Sequence, residues 1–379
     1  MIRLLDFGQQ PISGRFLNSP LGDERTFPIN LVQCPETGLI QLGQRVPYAE
    51  LVPRFSWASY NEPEEHLDWL VEKILKLCKG KKRLRVGGLS MKDSSTVERF
   101  RKRGHLGWVI DPILDLNLYS ACGVESIQAK LTGHAAERIS RSRGKVDLLI
   151  ARHIWEHAYN LENLSAAISG LLDDDGWILV EVPNCRPLLK CFDYTMTWEE
   201  HSYYFTRNTF LDSLDRHNLL AIFDESLRSD SEELIVALVQ KKGQIEIKKE
   251  RFSLVKELEI GATYARNFRS TRAQWITYLR TIKKRGPVAL FGVGHLSIAF
   301  VNYLGLKEYI DFAVDDNVNK QGLFLPGART PILSTRDMEK RKPTLILFGV
   351  GSVRRELFEA RWRKTIGDGV VIRSIFPEE

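Results

Sequence analysis

Two stretches of this chain alternate strand-length apolar runs with helix-periodic segments, and that alternation constrains the fold more than any other feature. In residues 66–240 the apolar runs are RLRV (83–86), GWVID (107–111), KVDLLIA (145–151), GWILVEV (176–182), LLAIFDE (219–225) and ELIVALVQ (233–240). Helical patterns such as NLSAAISGLL separate the first four. The stretch opens with EEHLDWLVEKILKLC, where Leu67, Leu70, Val71, Ile74 and Leu77 recur at helical spacing. Buried strands alternating with helices predict a mostly parallel sheet covered on both faces. The last two runs follow each other closely, which suits an antiparallel edge. Residues 287–379 repeat the pattern at smaller scale in PVALFGV, IDFAVDD, PTLILFGV and VVIRSIF, predicting a second doubly wound α/β unit. FGVG at 291–294 and again at 348–351 marks two strand ends with tight turns rather than a periodic repeat. Residues 1–65 carry only short extended pieces, PINLVQC and GLIQLG, and read as a small β-rich lobe.

Composition narrows the class. A length of 379 residues suits two or three domains. No apolar run approaches the 18 or so residues of a membrane span, and the N-terminus lacks the basic and apolar regions of a signal peptide. The five cysteines, at 34, 78, 122, 185 and 191, form no C-x-x-C pair. That argues against a disulfide framework or a cysteine-rich zinc site and favours a reducing cytoplasm. The net charge is +6, but residues 241–286 alone hold 13 Lys/Arg against 4 Glu. Leu254, Leu258, Ala262, Ala265, Phe268, Ile276, Leu279 and Ile282 recur there at helical spacing. The stretch therefore reads as an amphipathic linker helix with a solvated basic face, not a nucleic-acid footprint. Contact with an anionic ligand or a partner is its alternative use. Nothing in the sequence sets an oligomeric state.

Several constellations fall at strand ends, where open α/β sheets bind ligands. Gly87 and Gly88 open the first strand–turn–helix passage, as a nucleotide-binding turn or a plain tight turn; no full G-x-G-x-x-G is present. Asp111, 24 positions after Gly87, suits a ribose acceptor or a turn before Pro112. The run ending near Ala151 delivers Arg152, His153, Glu156 and His157, with His153 best placed. H-I-W-E-H is not the H-E-x-x-H metal motif, and Glu156 and His157 also suit helix capping. In CFDYTMTWEEHSYYFT (191–206), Glu199 and Glu200 beside His201 are the residue types of a general base, or else surface charge beside an aromatic core. Gly292 and Gly294 open a helix in the last unit, the right context for phosphate contact. Asp315 and Asp316 suit a sugar and Lys320 a phosphate.

ARHIWEH, EVPN, DYTMTWEEHSYYFT and FGVGHLSIAFVNYLGLKEYIDFAVDDNVNKQGLFLPGARTPI resemble the sugar C-methyltransferases, which modify nucleotide-linked keto-sugars. PINLVQCPETGLIQL resembles their zinc-binding lobe. The resemblance implies a small lobe (1–65), a class I methyltransferase domain (66–240), a linker (241–286) and a C-terminal Rossmann-like domain (287–379). It implies S-adenosylmethionine as methyl donor and a nucleotide-sugar as substrate, with no nucleic-acid or membrane partner. In the implied chemistry a base removes the acidic hydrogen beside the sugar's ketone and donors stabilise the enolate. The resemblance puts Glu200 and His201 in the base role, with His153 as a donor to the sugar oxygens and Tyr60 as the lobe's tyrosine. Gly87, Gly88, Asp111 and Arg152 fall on the donor side. Trp198, Tyr203, Gly292, Gly294, Asn302, Asp315 and Lys320 fall on the substrate side. Trp198 stands where the family often has Tyr and offers no phenolic donor.

Two departures stand out. The family's lobe uses two C-x-x-C pairs, whereas Cys34 is followed by Pro35-Glu36-Thr37. No structural zinc and no other metal is therefore expected. The donor turn, usually E-I-G-x-N-D-G, reads Arg85-Val86-Gly87-Gly88-Leu89-Ser90 with an apparent insertion before Asp93. Arg85 would bring positive charge near a cationic sulfonium. Two other readings follow: a sugar-nucleotide-binding homologue that has lost methyl transfer, and a nicotinamide-dependent sugar oxidoreductase, which lacks a full dinucleotide fingerprint.

Overall fold

The computed structural model describes all residues except 56, 58–62, 79–80, 120–121, 230–231, 244–252, 351–361, 363–368 and 378–379. Three sheets organise it. The first joins β1 (Ile2–Pro11), β2 (Thr26–Gln33) and β3 (Ile40–Leu42) to β8 (Tyr203–Tyr204), all antiparallel. The second holds β4 (Arg85–Gly88), β5 (Leu106–Val109), β6 (Val146–Arg152), β7 (Leu172–Pro183), β9 (Leu219–Arg228) and β10 (Glu233–Lys241), in the order β5-β4-β6-β7-β10-β9. Its first four strands are parallel, and β10 runs antiparallel to both neighbours. The third is β13 (Ile332–Leu333), β12 (Phe312–Val314), β11 (Val288–Phe291), β14 (Leu345–Phe348) and β15 (Val371–Ser374), wholly parallel. The expected class I methyltransferase-type sheet with a reversed strand, a second Rossmann-like unit and a β-rich lobe are thus all present. No helix among the described residues is long and apolar enough to cross a membrane.

The parallel strands form where the sequence runs continuously apolar. All seven residues of β6 are buried, because helices cover both faces of the sheet. The lobe sheet, by contrast, shares its core among the described residues with the rest of the protein. Leu5, Phe7, Ile29, Leu31, Ile40 and Leu42 join one apolar cluster with Tyr194, Tyr264, Leu279 and the last unit's Leu290 and Val301.

That shared core is built on the helix Leu254–Lys283, whose 30 residues span about 45 Å. The expected apolar stripe is displaced in its first half. Glu257, Gly261 and Tyr264 are buried rather than Leu258 and Ala262. The polar members can go inside because they find partners. Glu257 accepts from Asn208 Nδ2 at 2.7 Å, Thr206 Oγ1 at 3.0 Å and Arg186 Nη1 at 3.2 Å. The Gln33 amide donates to the carbonyls of Gly38 and Glu257, both at 2.8 Å. Gly38, at φ +73, lets the β2–β3 turn approach this helix; a Cβ there would lie 2.6 Å from that of Glu257. This turn includes Cys34, and all five cysteines are free thiols. The basic residues are only partly a solvated face: Arg272 Nε donates to the Leu304 carbonyl at 3.0 Å.

Replacing Glu257 with Ala removes three charge-assisted bonds from a buried position. It should lower stability by about 2–3 kcal/mol in urea unfolding. An unchanged midpoint would contradict the clamping role of this helix.

Candidate active site

The loop that carries Glu200 and His201 is fixed at both ends. Asp193 Oδ1 accepts from Thr195 N at 2.8 Å and Thr195 Oγ1 at 2.6 Å, capping the turn Tyr194–Met196. The Tyr194 hydroxyl donates to the Tyr264 carbonyl at 2.9 Å, and the Tyr264 hydroxyl returns a bond to the Asp193 carbonyl at 3.0 Å. Farther along, the Tyr204 hydroxyl accepts from Trp198 N and donates to Trp198 O, both at 3.0 Å. Glu199 is not part of the opening. Its carboxylate accepts from Ser13 N at 2.5 Å and Ser13 Oγ at 3.1 Å, bolting the loop to the lobe. Burial pushes Glu199 up to about 7.

Glu200 and His201 sit in a nest of titratable groups from three segments. The His201 ring lies perpendicular to that of His157, with centroids 4.6 Å apart, and 4.9 Å from Trp198. His157 Nδ1 lies 2.6 Å from Glu125 Oε1. Glu125, Glu156 and His157 are all buried. A little of Glu200 and His201 reaches solvent, yet the surrounding protein desolvates both. Burial, then the charges of Glu125 and Glu199, holds the Glu200 carboxyl well above the ordinary range, against Lys92 and Arg15. Burial, then His157, His295 and Lys92, holds His201 well below the usual imidazole value. The surroundings thus favour the uncharged form of both groups.

His153 stands one layer back. It sits at φ +47, where a non-glycine residue is strained, with its amide donating to the Glu181 carbonyl at 2.9 Å. Its ring lies 3.3 Å from Glu156 Oε1 and 3.2 Å from Glu181 Oε1. His157, read from the sequence as a helix cap, is the histidine packed against His201. Glu125 had no signal in VESIQAK, since nothing in the sequence foretells which helix faces the nest. Tyr60 lies outside the described residues.

The expected donor edge at the ends of β4 and β6 is closed by the protein itself. Leu89 N and Ser90 N donate to Asp93 Oδ2 at 2.8 and 2.9 Å, and Arg152 N donates to Asp93 Oδ1 at 2.9 Å. Burial pushes the Asp93 carboxyl up to about 7. The Arg152 guanidinium, 1% exposed, donates to the carbonyls of Lys92 at 3.0 Å and Pro63 at 2.9 Å and to Glu181 Oε1 at 2.8 Å. Glu181 also meets His66 Nε2 at 2.7 Å. Gly87 and Gly88 serve packing: a Cβ at Gly87 would meet Leu149 at 3.0 Å, and one at Gly88 would meet Asp93 at 2.9 Å. Arg85 does not approach this edge. It begins β4, where its side chain ion-pairs with Asp147 and Asp173. Asp111 Oδ1 accepts from Ile113 N at 2.9 Å and Leu114 N at 3.0 Å, forming the turn, and leaves Oδ2 for a ribose hydroxyl. The residues present thus fit the ribose end of S-adenosylmethionine. Asp93 and Arg152, by contrast, are held by the protein's own groups.

The expected substrate residues of the last unit divide similarly. Lys320 Nζ donates to Val293 O at 2.7 Å and to Asp315 Oδ2 at 2.9 Å, and Val293 N donates to the same oxygen at 2.9 Å. Asn302 Nδ2 donates to the Pro326 carbonyl at 3.1 Å. These three brace the turn. Gly292, at φ +83, lies against Val350, whereas Gly294 caps the helix His295–Tyr303 and, among the described residues, has nothing within 4 Å of where a Cβ would stand. Trp198 stacks on His295, with centroids 4.2 Å apart and planes 19° apart, joining the nest to this helix. Tyr203 accepts from Arg45 Nη2 at 2.9 Å in the lobe.

Two family models match the sequence: a methyltransferase domain over residues 97–226 and a C-methyltransferase C-terminal domain over residues 236–369. The C-methyltransferase NovU of Streptomyces niveus is 25% identical over 363 residues, covering 91% of this chain and 86% of that protein. Among solved structures, the 1,6-didemethyltoxoflavin-N1-methyltransferase of Burkholderia thailandensis is 13% identical and covers 56% of this chain and 95% of its own, with a TM-score of 0.34. A methyltransferase from Clostridium acetobutylicum, also 13% identical, covers 48% and 93% with a TM-score of 0.33.

Replacing Arg152 with Met strands the Glu181 carboxylate in the interior. It should cost roughly 3–5 kcal/mol in guanidinium unfolding; a loss below 1 kcal/mol would show that the network does not hold this edge closed. The two matching models, in sequence order, and the likeness to NovU over most of both chains support a methyltransferase similar to the C-methyltransferases, with S-adenosylmethionine as its methyl donor.

Proposed function

We propose that this protein adds a methyl group to carbon on a nucleotide-linked keto-sugar through an enolate. The observation that carries the reading is the Glu200–His201 pair, fixed in a desolvated nest beside the open N-terminus of the helix His295–Tyr303. A ketone acidifies the hydrogen on the neighbouring carbon. A positioned imidazole, His201, removes that hydrogen, and a neutral carboxyl, Glu200, donates to the developing oxyanion. Lys92, whose charge acts on both groups, favours the enolate. The helix N-terminus at Gly294 suits the substrate's phosphates. Five free thiols agree with a reducing cytoplasm.

A second reading has its own support. The closed donor edge at Asp93 and Arg152 favours a homologue that holds a sugar nucleotide without transferring methyl. One experiment separates the two. The protein is incubated with S-adenosylmethionine and a panel of nucleotide-linked 4-keto sugars, and products are read by mass spectrometry. The enzyme reading predicts the gain of one methyl on the sugar. It also predicts a loss of about 10²–10⁴-fold in turnover for His201→Asn with substrate binding retained. Sugar-nucleotide binding with no methylated product across the panel favours the second reading.

A further inference from the structure

We infer that Glu125, His157 and Glu200 form a site for one divalent transition-metal ion. The three reach the nest from separate segments. Glu125 comes from the helix Val124–Lys130, His157 from the turn after β6, and Glu200 from the loop before β8. One ligand atom of each lies within 4.8 Å of the others, and no ion is present. Atoms about 2.0–2.2 Å from a common ion stand up to about 4.4 Å apart, so the set is already near that spacing.

The polar atoms here are poorly served by the protein. Glu125 is 3% exposed, His157 2% and Glu156 1%. His157 Nε2 and Glu156 Oε2 are buried without a hydrogen-bond partner, facing the same group of residues. Such atoms cost free energy unless something occupies the space between them. Three carboxylates, Glu125, Glu156 and Glu200, meet here, with Lys92 and Arg15 acting on Glu200 as counter-charges. A dication held by Glu125, His157 and Glu200 gives a His157 nitrogen a partner and offsets the carboxylate charge, that of the neighbouring Glu156 included. An imidazole with two carboxylates selects zinc, manganese, iron(II) or cobalt over magnesium and calcium, which prefer all-oxygen sites. Three protein ligands leave positions open for a substrate oxygen. His201, perpendicular to His157, stays free to move a proton. In the keto-sugar reading, on which this role rests, Glu200 binds the ion as a carboxylate, and the ion takes over from the Glu200 proton in polarising the ketone and holding the enolate oxygen, without any change of oxidation state. The binding itself needs neither sugar nor donor.

The test uses the full-length protein, stripped with chelator and titrated with cobalt(II) alone. One equivalent should bind at micromolar or tighter Kd, with a visible d–d band and no thiolate charge-transfer band. His157→Gln and Glu125→Gln should weaken binding at least tenfold, while Cys34→Ser leaves it unchanged. Saturating metal should raise the wild-type melting temperature and not that of His157→Gln. If either buried variant fails to fold, Glu200→Gln, at the partly exposed position, carries the same expectation. No stoichiometric binding, a thiolate band, or variants that bind like the wild type would overturn the site. A protein that binds cobalt but methylates no keto-sugar keeps the site and loses the function; methylation at full rate by metal-free protein keeps the function and overturns the ion's role in it.

Discussion

The structure depends on the reciprocal pair of hydrogen bonds between Tyr194 and Tyr264. Each hydroxyl reaches the other segment's backbone, at 2.9 and 3.0 Å, in the middle of an apolar core. Because those hydroxyls are satisfied, two large aromatic side chains can be buried where the lobe, the loop and the long helix meet. Among the described residues, most of the lobe's buried apolar side chains belong to this junction, and the loop that carries Glu200 and His201 is anchored to it at its entry. Position of the chemistry and cohesion of the modules therefore share one cause.

From that junction the charge pattern follows. Glu199 is tied down by Ser13, Glu181 by Arg152 and His66, and Glu257 by Asn208, Thr206 and Arg186. Each of these buried carboxylates is closed by donors and serves to hold elements together. Glu125, Glu156, His157, Glu200 and His201 form a group where buried or nearly buried titratable groups from three segments face each other with bonding capacity left over. Unsatisfied polarity in the interior is costly, so its concentration here marks the site more sharply than any motif.

Much of this was legible in the sequence. Strand-length apolar runs separated by helical periods carry the two parallel sheets, and the crowding of β9 and β10 signals their antiparallel pairing, though the reversed strand is β10, one in from the edge. Glu200 and His201 stood out because two carboxylates beside a histidine fit neither core nor plain loop. What was not legible is tertiary. His157 and His153 sit four positions apart, and only the turn after β6, with His153 in a left-handed conformation, decides which ring faces His201. Glu125 and Ser13 approach the loop from distant segments. Asp315 and Lys320 looked like ligand contacts because charged residues after a strand often are; here they neutralise each other and brace a turn. Arg85 looked like an intruder in the donor turn, but it begins its strand and pairs away from the ligand edge.

The central claim is that the nest moves a proton on carbon. Its most direct test is deuterium exchange in heavy water, with the wild-type protein, a nucleotide-linked 4-keto sugar and no methyl donor, followed by proton NMR. The account predicts that the hydrogen on the carbon beside the ketone exchanges well above the buffer rate, because abstraction precedes and does not need the methyl transfer. Exchange no faster than in buffer, with the sugar nucleotide demonstrably bound, would contradict it.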